Sequence, residues 1–308
     1  MMHVALMSQT SKLAYLGPML QQAIPGLEYS VWPDPACMQA EVAVCWNTPP
    51  DLYGRMPRLQ LVHSIAAGVD NILPGAQAAG VPVCRVVDPD LTQGMIEYVS
   101  WAVLYFHRAF DVVMQQQRER LWHRPALRRA ADCRVGVMGL GNLGRSVAHA
   151  LSARGYPVSG WARSAHVIDG VQTYAGSQAL TAFLSRTDIL INLLPLTDQT
   201  RAILNRDLFQ ALPEGAAVVG CGRGEHLATD DLIDAIKSGH LRGAVLDVFP
   251  QEPLTPESAL WDMREVVITP HMATMAAPQT VVNQVSENIR RMLAGEPLVN
   301  EVDPARGY

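Results

Sequence analysis

Three short segments carry residues of the types used for acid–base and anion chemistry, and each follows a predicted β-strand. They contain Arg223, Glu252 and His271, within the stretches Gly220–Gly224, Asp247–Leu254 and Thr269–Met272. Ligands of an open α/β sheet bind outside the carboxyl ends of the strands, so all three segments would lie on the ligand-binding side. Each residue also has a purely structural alternative: the arginine or the histidine as an ordinary surface residue, and the glutamate as a loop cap.

A glycine-rich turn is predicted to bind a dinucleotide. Residues Arg134–Ala148 consist of a predicted strand, a G-x-G-x-x-G pattern and a predicted helix. The glycines allow a tight turn and a close approach of the backbone to a pyrophosphate, which the N–H groups of the helix N-terminus bind. An ordinary glycine turn is the alternative, but the strand–turn–helix context favours the cofactor. The predicted cofactor-binding residues of the turn are Gly139, Gly141, Asn142, Leu143 and Gly144.

The end of the next predicted strand indicates which nicotinamide cofactor is preferred. An NAD site usually places an acidic residue there for the ribose hydroxyls. This strand instead ends in Ala162, followed by Arg163 and Ser164. Arginine can pair with a 2′-phosphate that a carboxylate would repel. We therefore expect NADPH to be favoured over NADH, unless Arg163 is only a solvated surface residue.

The elements that would position these residues form two strand–helix series. The first occupies roughly the first hundred residues, and the second runs from Arg134 to about Pro270. Such alternation predicts an α/β fold with parallel sheets and helices on both faces. Between the two series, an apolar period predicts one long helix from Thr92 to Arg120. A last helix is predicted over 277–293.

Composition limits the class of protein. The chain has 308 residues, 49% of them hydrophobic and 17% charged, which predicts a folded protein of about two domains. The net charge of −5 argues against a nucleic-acid-binding face. No targeting segment or membrane-spanning stretch is recognised, so a cytoplasmic location is expected. The five cysteines form no C-x-x-C pair, which predicts reduced thiols and no metal site.

Several further stretches resemble the D-isomer-specific 2-hydroxyacid dehydrogenase family, and within it the glyoxylate/hydroxypyruvate reductase A group. The resemblance covers nearly the whole chain and is more specific than the glycine turn alone. The matching stretches are Ala66–Leu73, Leu190–Pro195, Leu246–Leu254, Thr269–His271 and Asp303–Tyr308. It implies two doubly wound parallel-sheet lobes: a flavodoxin-like substrate lobe, 1–94 with 277–308, and a Rossmann cofactor lobe, 95–276.

The resemblance implies reduction of glyoxylate to glycolate and of hydroxypyruvate to D-glycerate by hydride transfer from NADPH. Arg223 would hold the substrate carboxylate and polarise the keto group, which a fixed planar cation suits. His271 would donate a proton to the keto oxygen. Glu252 would orient His271 and favour its protonated form.

The family pattern also implies roles for residues outside this set. The backbone N–H groups of Ala67, Gly68 and Val69 would bind the substrate carboxylate. Trp46 resembles a substrate-pocket tryptophan, with a core position as the alternative. Three residues would contact the cofactor: Pro195, Cys221 and Asp247, the last near the nicotinamide carboxamide. A homodimer is implied too, in which Trp122 could reach the neighbouring subunit's pocket.

Two features leave alternatives open. The chain carries Gly220-Cys221-Gly222 where the family usually has Asn or Thr and then a small pair, which could loosen the arginine loop or make activity sensitive to thiol reagents. Other functions compatible with the fold are a dinucleotide-sensing interaction protein and a dehydrogenase of a larger 2-hydroxy acid. The intact set of Arg223, Glu252 and His271 argues against the sensor.

Overall fold

The computed structural model describes residues 2–49 and 51–303, which belong to two separately packed units. Unit 1 consists of Met1–Leu91 and Met275–Tyr308, and unit 2 of Thr92–Thr274. The chain therefore passes between the units twice, after Leu91 and after Thr274.

The predicted domain boundaries, after residue 94 and before residue 277, lie close to the observed ones. The assignment of unit 1 to the substrate and unit 2 to the cofactor stays a prediction at this point. Residues 304–308, part of the C-terminal stretch that carried the resemblance, lie outside the described residues.

The strands and α-helices are numbered in chain order. The strands are β1 (His3–Ser8), β2 (Glu28–Val31), β3 (Val42–Trp46), β4 (Leu61–Ser64), β5 (Val83–Cys84), β6 (Val135–Met138), β7 (Val158–Ala162), β8 (Val171–Ala175), β9 (Ile189–Asn192), β10 (Ala216–Gly220), β11 (Leu241–Leu246) and β12 (Val266–Ile268). The helices are α1 (Leu16–Ala23), α2 (Leu73–Ala78), α3 (Pro89–His107), α4 (Phe110–Arg118), α5 (Asn142–Ala153), α6 (Leu180–Leu184), α7 (Arg206–Ala211), α8 (Thr229–Lys237) and α9 (Pro278–Ala294).

In the described part of unit 1, five parallel strands form a sheet in the order β2-β1-β3-β4-β5. This is the flavodoxin-like order, as predicted. Alternate residues of β1 enter two cores, because neighbouring side chains of a strand point to opposite faces. Val4 and Leu6 pack with α1 and α9, whereas Ala5 and Met7 pack with α2. Helices thus cover both faces of the sheet.

In unit 2, seven described strands form a parallel sheet in the order β12-β11-β10-β9-β6-β7-β8. Counted from β6, this is the Rossmann order 3-2-1-4-5-6 with one further strand. Val135 and Val137 face a core that includes α5 and part of α3, and Met138 faces a second core with α6, α7 and α8. The prediction of two doubly wound parallel sheets is confirmed.

The prediction of one helix from Thr92 to Arg120 is wrong. The structure has α3 and α4 in its place, and Ala109 between them has a φ of +55°. A left-handed residue cannot continue a right-handed α-helix, so the chain breaks there. The apolar spacing from Phe106 to Phe110 runs across the break, which is why the periodicity did not reveal it.

Strand β8 was not predicted. Its residues Val171–Ala175 lie at the edge of the sheet and pair only with β7 among the described strands. An edge strand buries little of its surface, and none of these residues is fully buried. Its sequence, Val-Gln-Thr-Tyr-Ala, therefore lacks the apolar run that identified the central strands.

Within residues 2–49 and 51–303, no helix combines the length and the apolar character that crossing a bilayer requires. The same residues contain no cluster of three or more His, Cys, Asp or Glu side chains arranged to bind a metal ion.

Candidate active site

The glycine turn joins β6 to α5, and its glycines meet different steric demands. Gly139 has a φ of +95°, and a Cβ there would lie 2.6 Å from the carbonyl oxygen of Leu193. A Cβ on Gly144 would lie 1.8 Å from the carbonyl oxygen of Gly139, so only glycine permits this packing of the helix on the turn. A Cβ on Gly141 would meet nothing within 4 Å. The turn is closely packed on one side and open beside Gly141.

The open side fits a dinucleotide pyrophosphate. Helix α5 begins at Asn142, and its N-cap residue, Gly141, has no side chain to accept from the first N–H groups. The first N–H groups of a helix have no intrahelical acceptor, and the helix dipole adds partial positive charge. Gly141 and Asn142 are exposed, whereas Leu143 packs partly against the core. Backbone N–H groups at this turn would hold the pyrophosphate.

Strand β7 brings Arg163 and Ser164 to the same edge of the sheet. Both side chains follow the last residue of the strand and are exposed. In the described part of the chain Arg163 forms no salt bridge, so its guanidinium is available to an anion. Pro195 follows the end of β9, on the other side of β6 in the sheet, and is also exposed.

The loop that carries Arg223 is short and follows β10. The N–H of Cys221 donates to the carbonyl oxygen of Asn192 at 3.2 Å, which extends the pairing of β10 with β9 by one residue. The Arg223 guanidinium donates from Nη1 to the carbonyl oxygen of Gly222 at 2.8 Å. The loop is therefore ordered by hydrogen bonds in spite of its glycines.

Glu252 and His271 form a directly hydrogen-bonded pair. His271 Nδ1 lies 2.8 Å from Glu252 Oε2, and the N–H of Phe249 donates to Glu252 Oε1 at 3.0 Å. Burial raises the pKa of the Glu252 carboxyl, but these hydrogen bonds and the charges of His271 and Arg223 outweigh it and hold that pKa below its ordinary value. The carboxylate is thus ionised beside the imidazole, and Arg223 is near enough to contribute.

The backbone of His271 is held in an uncommon conformation. Its φ is +52°, and its N–H donates to the carbonyl oxygens of Asp247 at 2.9 Å and Thr269 at 3.1 Å. A non-glycine residue adopts positive φ only where the surroundings stabilise it. This turn, which follows Thr269 and Pro270 at the end of β12, aims the imidazole at Glu252.

Asp247 organises the loop that carries His271. Its buried carboxylate accepts hydrogen bonds from the Thr269 hydroxyl at 2.6 Å and from the N–H groups of Met272 and Ala273, each at 2.8 Å. The Tyr98 hydroxyl lies 2.6 Å from Thr269 Oγ1. Because Thr269 donates its proton to Asp247, Tyr98 must be the donor to Thr269. A position of Asp247 near the nicotinamide carboxamide remains a prediction.

A direct backbone contact joins the arginine loop to the loop that carries Glu252. A Cβ on Gly224 would lie 1.8 Å from the carbonyl carbon of Phe249 and 2.4 Å from the nitrogen of Pro250. Only glycine allows these two chain segments to approach so closely. This contact places the residue after Arg223 against the segment that leads to Glu252.

The Cys221 thiol is buried and chemically protected. Burial raises the pKa of Cys221 well above its ordinary value, and the charge of Asp247 adds to the rise. A thiol that stays protonated reacts poorly with electrophiles. The expected sensitivity to thiol reagents at Cys221 is therefore not supported, and a contact of this residue with the cofactor stays a prediction.

In unit 1, the loop after β4 presents consecutive backbone donors. Ser64 Oγ donates to the carbonyl oxygen of Gly68 at 3.0 Å and accepts from the N–H of Ala66 at 3.1 Å, which closes the loop. Across the ranges that the structure describes, the N–H groups of Ala67, Gly68 and Val69 donate to no protein acceptor. A run of such donors is suited to an anion.

Trp46 is the last residue of β3, where it pairs with Ser8 and is partly buried. This is the strand end at which it was predicted. Its contribution to a substrate pocket stays a prediction.

The structure brings Glu252 and His271, two of the three predicted catalytic residues, into contact, and their catalytic roles stay a prediction. The sequence interpretation did not include Tyr98 or a positioning role for Asp247. Tyr98 lies 171 residues before its partner Thr269, so no local pattern joins the two. For Asp247 the family pattern implied only a cofactor contact, and nothing in the sequence indicated that its carboxylate accepts hydrogen bonds from the His271 loop.

Comparisons with known proteins identify the family of this chain. Residues 100–273 match the family model described as "D-isomer specific 2-hydroxyacid dehydrogenase, NAD binding domain". A glyoxylate/hydroxypyruvate reductase A from Salmonella heidelberg is 40% identical over 296 residues, which are 94% of each chain.

Solved structures give the same result. A D-isomer-specific 2-hydroxyacid dehydrogenase family protein from Klebsiella pneumoniae is 44% identical, with a TM-score of 0.95 over 99% of this chain and 98% of that one. An NADPH-dependent glyoxylate/hydroxypyruvate reductase from Sinorhizobium meliloti, solved with NADP and sulfate, is 37% identical, with a TM-score of 0.89 over the whole of both chains. The present chain belongs to the D-isomer-specific 2-hydroxyacid dehydrogenase family.

Proposed function

We propose that this protein reduces small 2-keto acids with NADPH, converting glyoxylate to glycolate and hydroxypyruvate to D-glycerate. The observation that supports this most directly is the hydrogen-bonded pair of Glu252 and His271 with Arg223 close by, at the carboxyl edge of a sheet that carries the glycine turn. The Salmonella and Sinorhizobium relatives bear names for this reaction, and the latter was solved with NADP.

The residues divide the work by their chemistry. When bound at the glycine turn, NADPH supplies the hydride. The Arg223 guanidinium binds the substrate carboxylate and stabilises the charge that develops on the keto oxygen. His271 shares its Nδ1 proton with Glu252, so the proton that goes to the keto oxygen is the one on Nε2. Glu252 favours the imidazolium from which that proton comes.

The N–H groups of Ala67, Gly68 and Val69 are proposed as a second set of donors to the substrate carboxylate. None of the three donates to an acceptor among the described residues, which supports this role. Trp46 is proposed as a pocket residue that limits the size of the keto acid.

Arg163 and Ser164 are proposed to bind the 2′-phosphate of NADPH. Their exposure at the end of β7 and the absence of a carboxylate at that strand end support the preference. Equal kcat/KM values for NADH and NADPH would contradict it.

A homodimer in the cytoplasm is also part of the proposal. Exposed apolar side chains along α3 and α4 support the dimer; they include Trp101, Leu104, Phe110 and Met114. Trp122 is exposed beyond α4 and is proposed to reach the partner's pocket. The five cysteines are unpaired and buried, as suits a reducing compartment. Sedimentation velocity of the purified protein tests the dimer.

The reaction is tested by following NADPH absorbance with glyoxylate, hydroxypyruvate, pyruvate and phenylpyruvate in turn. We expect the two acids named in the proposal, glyoxylate and hydroxypyruvate, to give the highest kcat/KM of the four. A preference for phenylpyruvate would indicate a dehydrogenase of larger acids. Turnover of none of them, with NADPH bound, would favour a dinucleotide-sensing protein.

A further inference from the structure

His226 is a buried histidine outside the proposed catalytic set. It ends a single turn of 3₁₀ helix, Gly224–His226, three residues after Arg223, and its side chain is inaccessible to solvent. Burying an imidazole without hydrogen bonds is costly, so its partners define what it does.

The partners of Nδ1 fix the protonation state of the ring. The backbone N–H of Arg223 points at Nδ1 over 3.1 Å, and a backbone N–H can only donate. Nδ1 must therefore be an acceptor. The Asn192 amide, 3.0 Å away, must then also donate to it, through Nδ2. This orientation leaves Asn192 Oδ1 to accept from the N–H of Leu194 at 3.4 Å.

With Nδ1 as an acceptor, the neutral ring carries its proton on Nε2. That atom lies 3.3 Å from the carbonyl oxygen of Pro195, to which it donates. One imidazole therefore contacts two loops, the loop after β10 through Arg223 and the loop after β9 through Asn192 and Pro195. Both loops carry residues assigned to the substrate or the cofactor.

Gly222 makes room for this arrangement. A Cβ there would lie 2.9 Å from His226 Nδ1 and 3.1 Å from Asn192 Nδ2. Gly222, the second residue of the small pair before Arg223, thus lies against the imidazole, so that the ring can reach the main chain of Arg223.

We propose that His226 is a positioning residue, which holds the Arg223 main chain through Nδ1 so that the guanidinium is placed for the keto-acid carboxylate. This rests on the proposed role of Arg223. The bond from Nε2 to Pro195 is secondary and aligns the neighbouring loop. His226 itself does not contact the substrate.

Two replacements separate the ring nitrogens. In His226→Asn, the side-chain oxygen can occupy the Nδ1 position and keep the acceptor for Arg223. In His226→Gln, the longer side chain can donate to Pro195 but leaves the Arg223 N–H without its acceptor. We expect His226→Gln to lower kcat/KM for glyoxylate by about tenfold to hundredfold, the order of loss for a misplaced binding group. We expect His226→Asn to stay within about threefold of wild type, and the Kd of NADPH to change little in both.

A second comparison asks whether His226 acts through residue 223. Arg223→Lys keeps a cation on a flexible stem that depends less on a fixed main chain, and keeps turnover measurable. In that background His226→Gln should cost less than about threefold, because coupled residues are not additive.

Two results would overturn the proposal: an equal loss in His226→Asn and His226→Gln, or the full loss from His226→Gln in the Arg223→Lys background. Thermal unfolding of each variant is measured in parallel. If His226→Asn and His226→Gln lose activity equally and also share a lower Tm, His226 has only a structural role and the proposal is overturned. Failure of the proposed function itself is distinct, since wild type would then not reduce glyoxylate.

Discussion

The glycine turn and the three loops that carry Arg223, Glu252 and His271 hold their parts in place by different means. At the turn, the positions of Gly139 and Gly144 are set by contacts between main-chain atoms, and no side chain contributes a cap. In the loops after β10, β11 and β12, buried side chains of Asp247 and His226 accept hydrogen bonds from the main chain. The turn therefore depends on volume alone, whereas the loops depend on matched donors and acceptors in addition to the close contact at Gly224. Substitutions of different kinds should damage the two regions.

The largest effect is expected where a reacting group is removed. His271→Ala and Arg223→Ala should each lower kcat/KM for glyoxylate by about a hundredfold or more, because an acid or a charge at the reacting oxygen is lost. NADPH binding, followed by fluorescence, should be nearly unchanged, since the turn is intact. Near-normal turnover in either variant would refute the assigned role.

Replacing the partner of the imidazole should cost less and alter the pH profile. We expect Glu252→Gln to lower kcat/KM by about tenfold to hundredfold. The amide cannot supply the carboxylate's support of the imidazole and does not titrate, so the acid limb that Glu252 contributes should be absent. In wild type, the carboxylate loses this role when Glu252 is protonated, as the pH falls through its lowered pKa. The stability that the ionised Glu252 contributes to the fold is lost over the same pH range. An unchanged profile in the variant would contradict this pairing.

Two glycine variants test the volume argument at the turn. Gly141→Ala places a methyl group in open space, so the fold should be retained while NADPH binds about tenfold more weakly. Gly144→Ala places it against the carbonyl of Gly139 and should destabilise the protein by about 1–3 kcal/mol. Thermal unfolding and NADPH titration separate the two effects. Equal stability of the two variants would show that the packing of the turn can relax.

Cofactor choice should depend on one exposed side chain. Arg163→Ala should raise the KM for NADPH by about tenfold and leave that for NADH nearly unchanged, as expected for one charge-assisted contact near solvent. Arg154, at the end of α5 and hydrogen-bonded to the carbonyl oxygen of Ala150, provides a matched control. Equal losses with both cofactors would indicate that Arg163 has no part in phosphate recognition.

The smallest effect is expected at the outer end of the Asp247 network. Tyr98→Phe removes one donor to Thr269 and should cost about 1 kcal/mol of stability, with kcat/KM changed by less than about threefold. Tyr105, on the same helix, forms no side-chain hydrogen bond within the described residues, so Tyr105→Phe is the control. Indistinguishable Tm values for the two variants would remove Tyr98 from the network.

The same division explains which features the sequence could predict. The glycine pattern, Arg223, Glu252 and His271 lie in short stretches whose residue types and spacing carry the signal directly. Strand order followed as well, because doubly wound sheets have few arrangements. The hydrogen bonds from Tyr98 to Thr269 and from Arg223 to His226 depend on side-chain direction and partner geometry, which spacing does not encode.

The break at Ala109 and the edge strand β8 were missed for physical reasons of their own. At Ala109 the backbone reverses its handedness with no change in the apolar period. In β8, partial exposure removes the apolar run by which buried strands are recognised.

The contact of Gly224 with Phe249 and Pro250 restricts how this enzyme can be redesigned. Because main chain touches main chain there, any larger residue at position 224 would push the arginine segment away from the segment that leads to Glu252. We therefore expect a change of substrate range to be tolerated better through side chains elsewhere than through position 224.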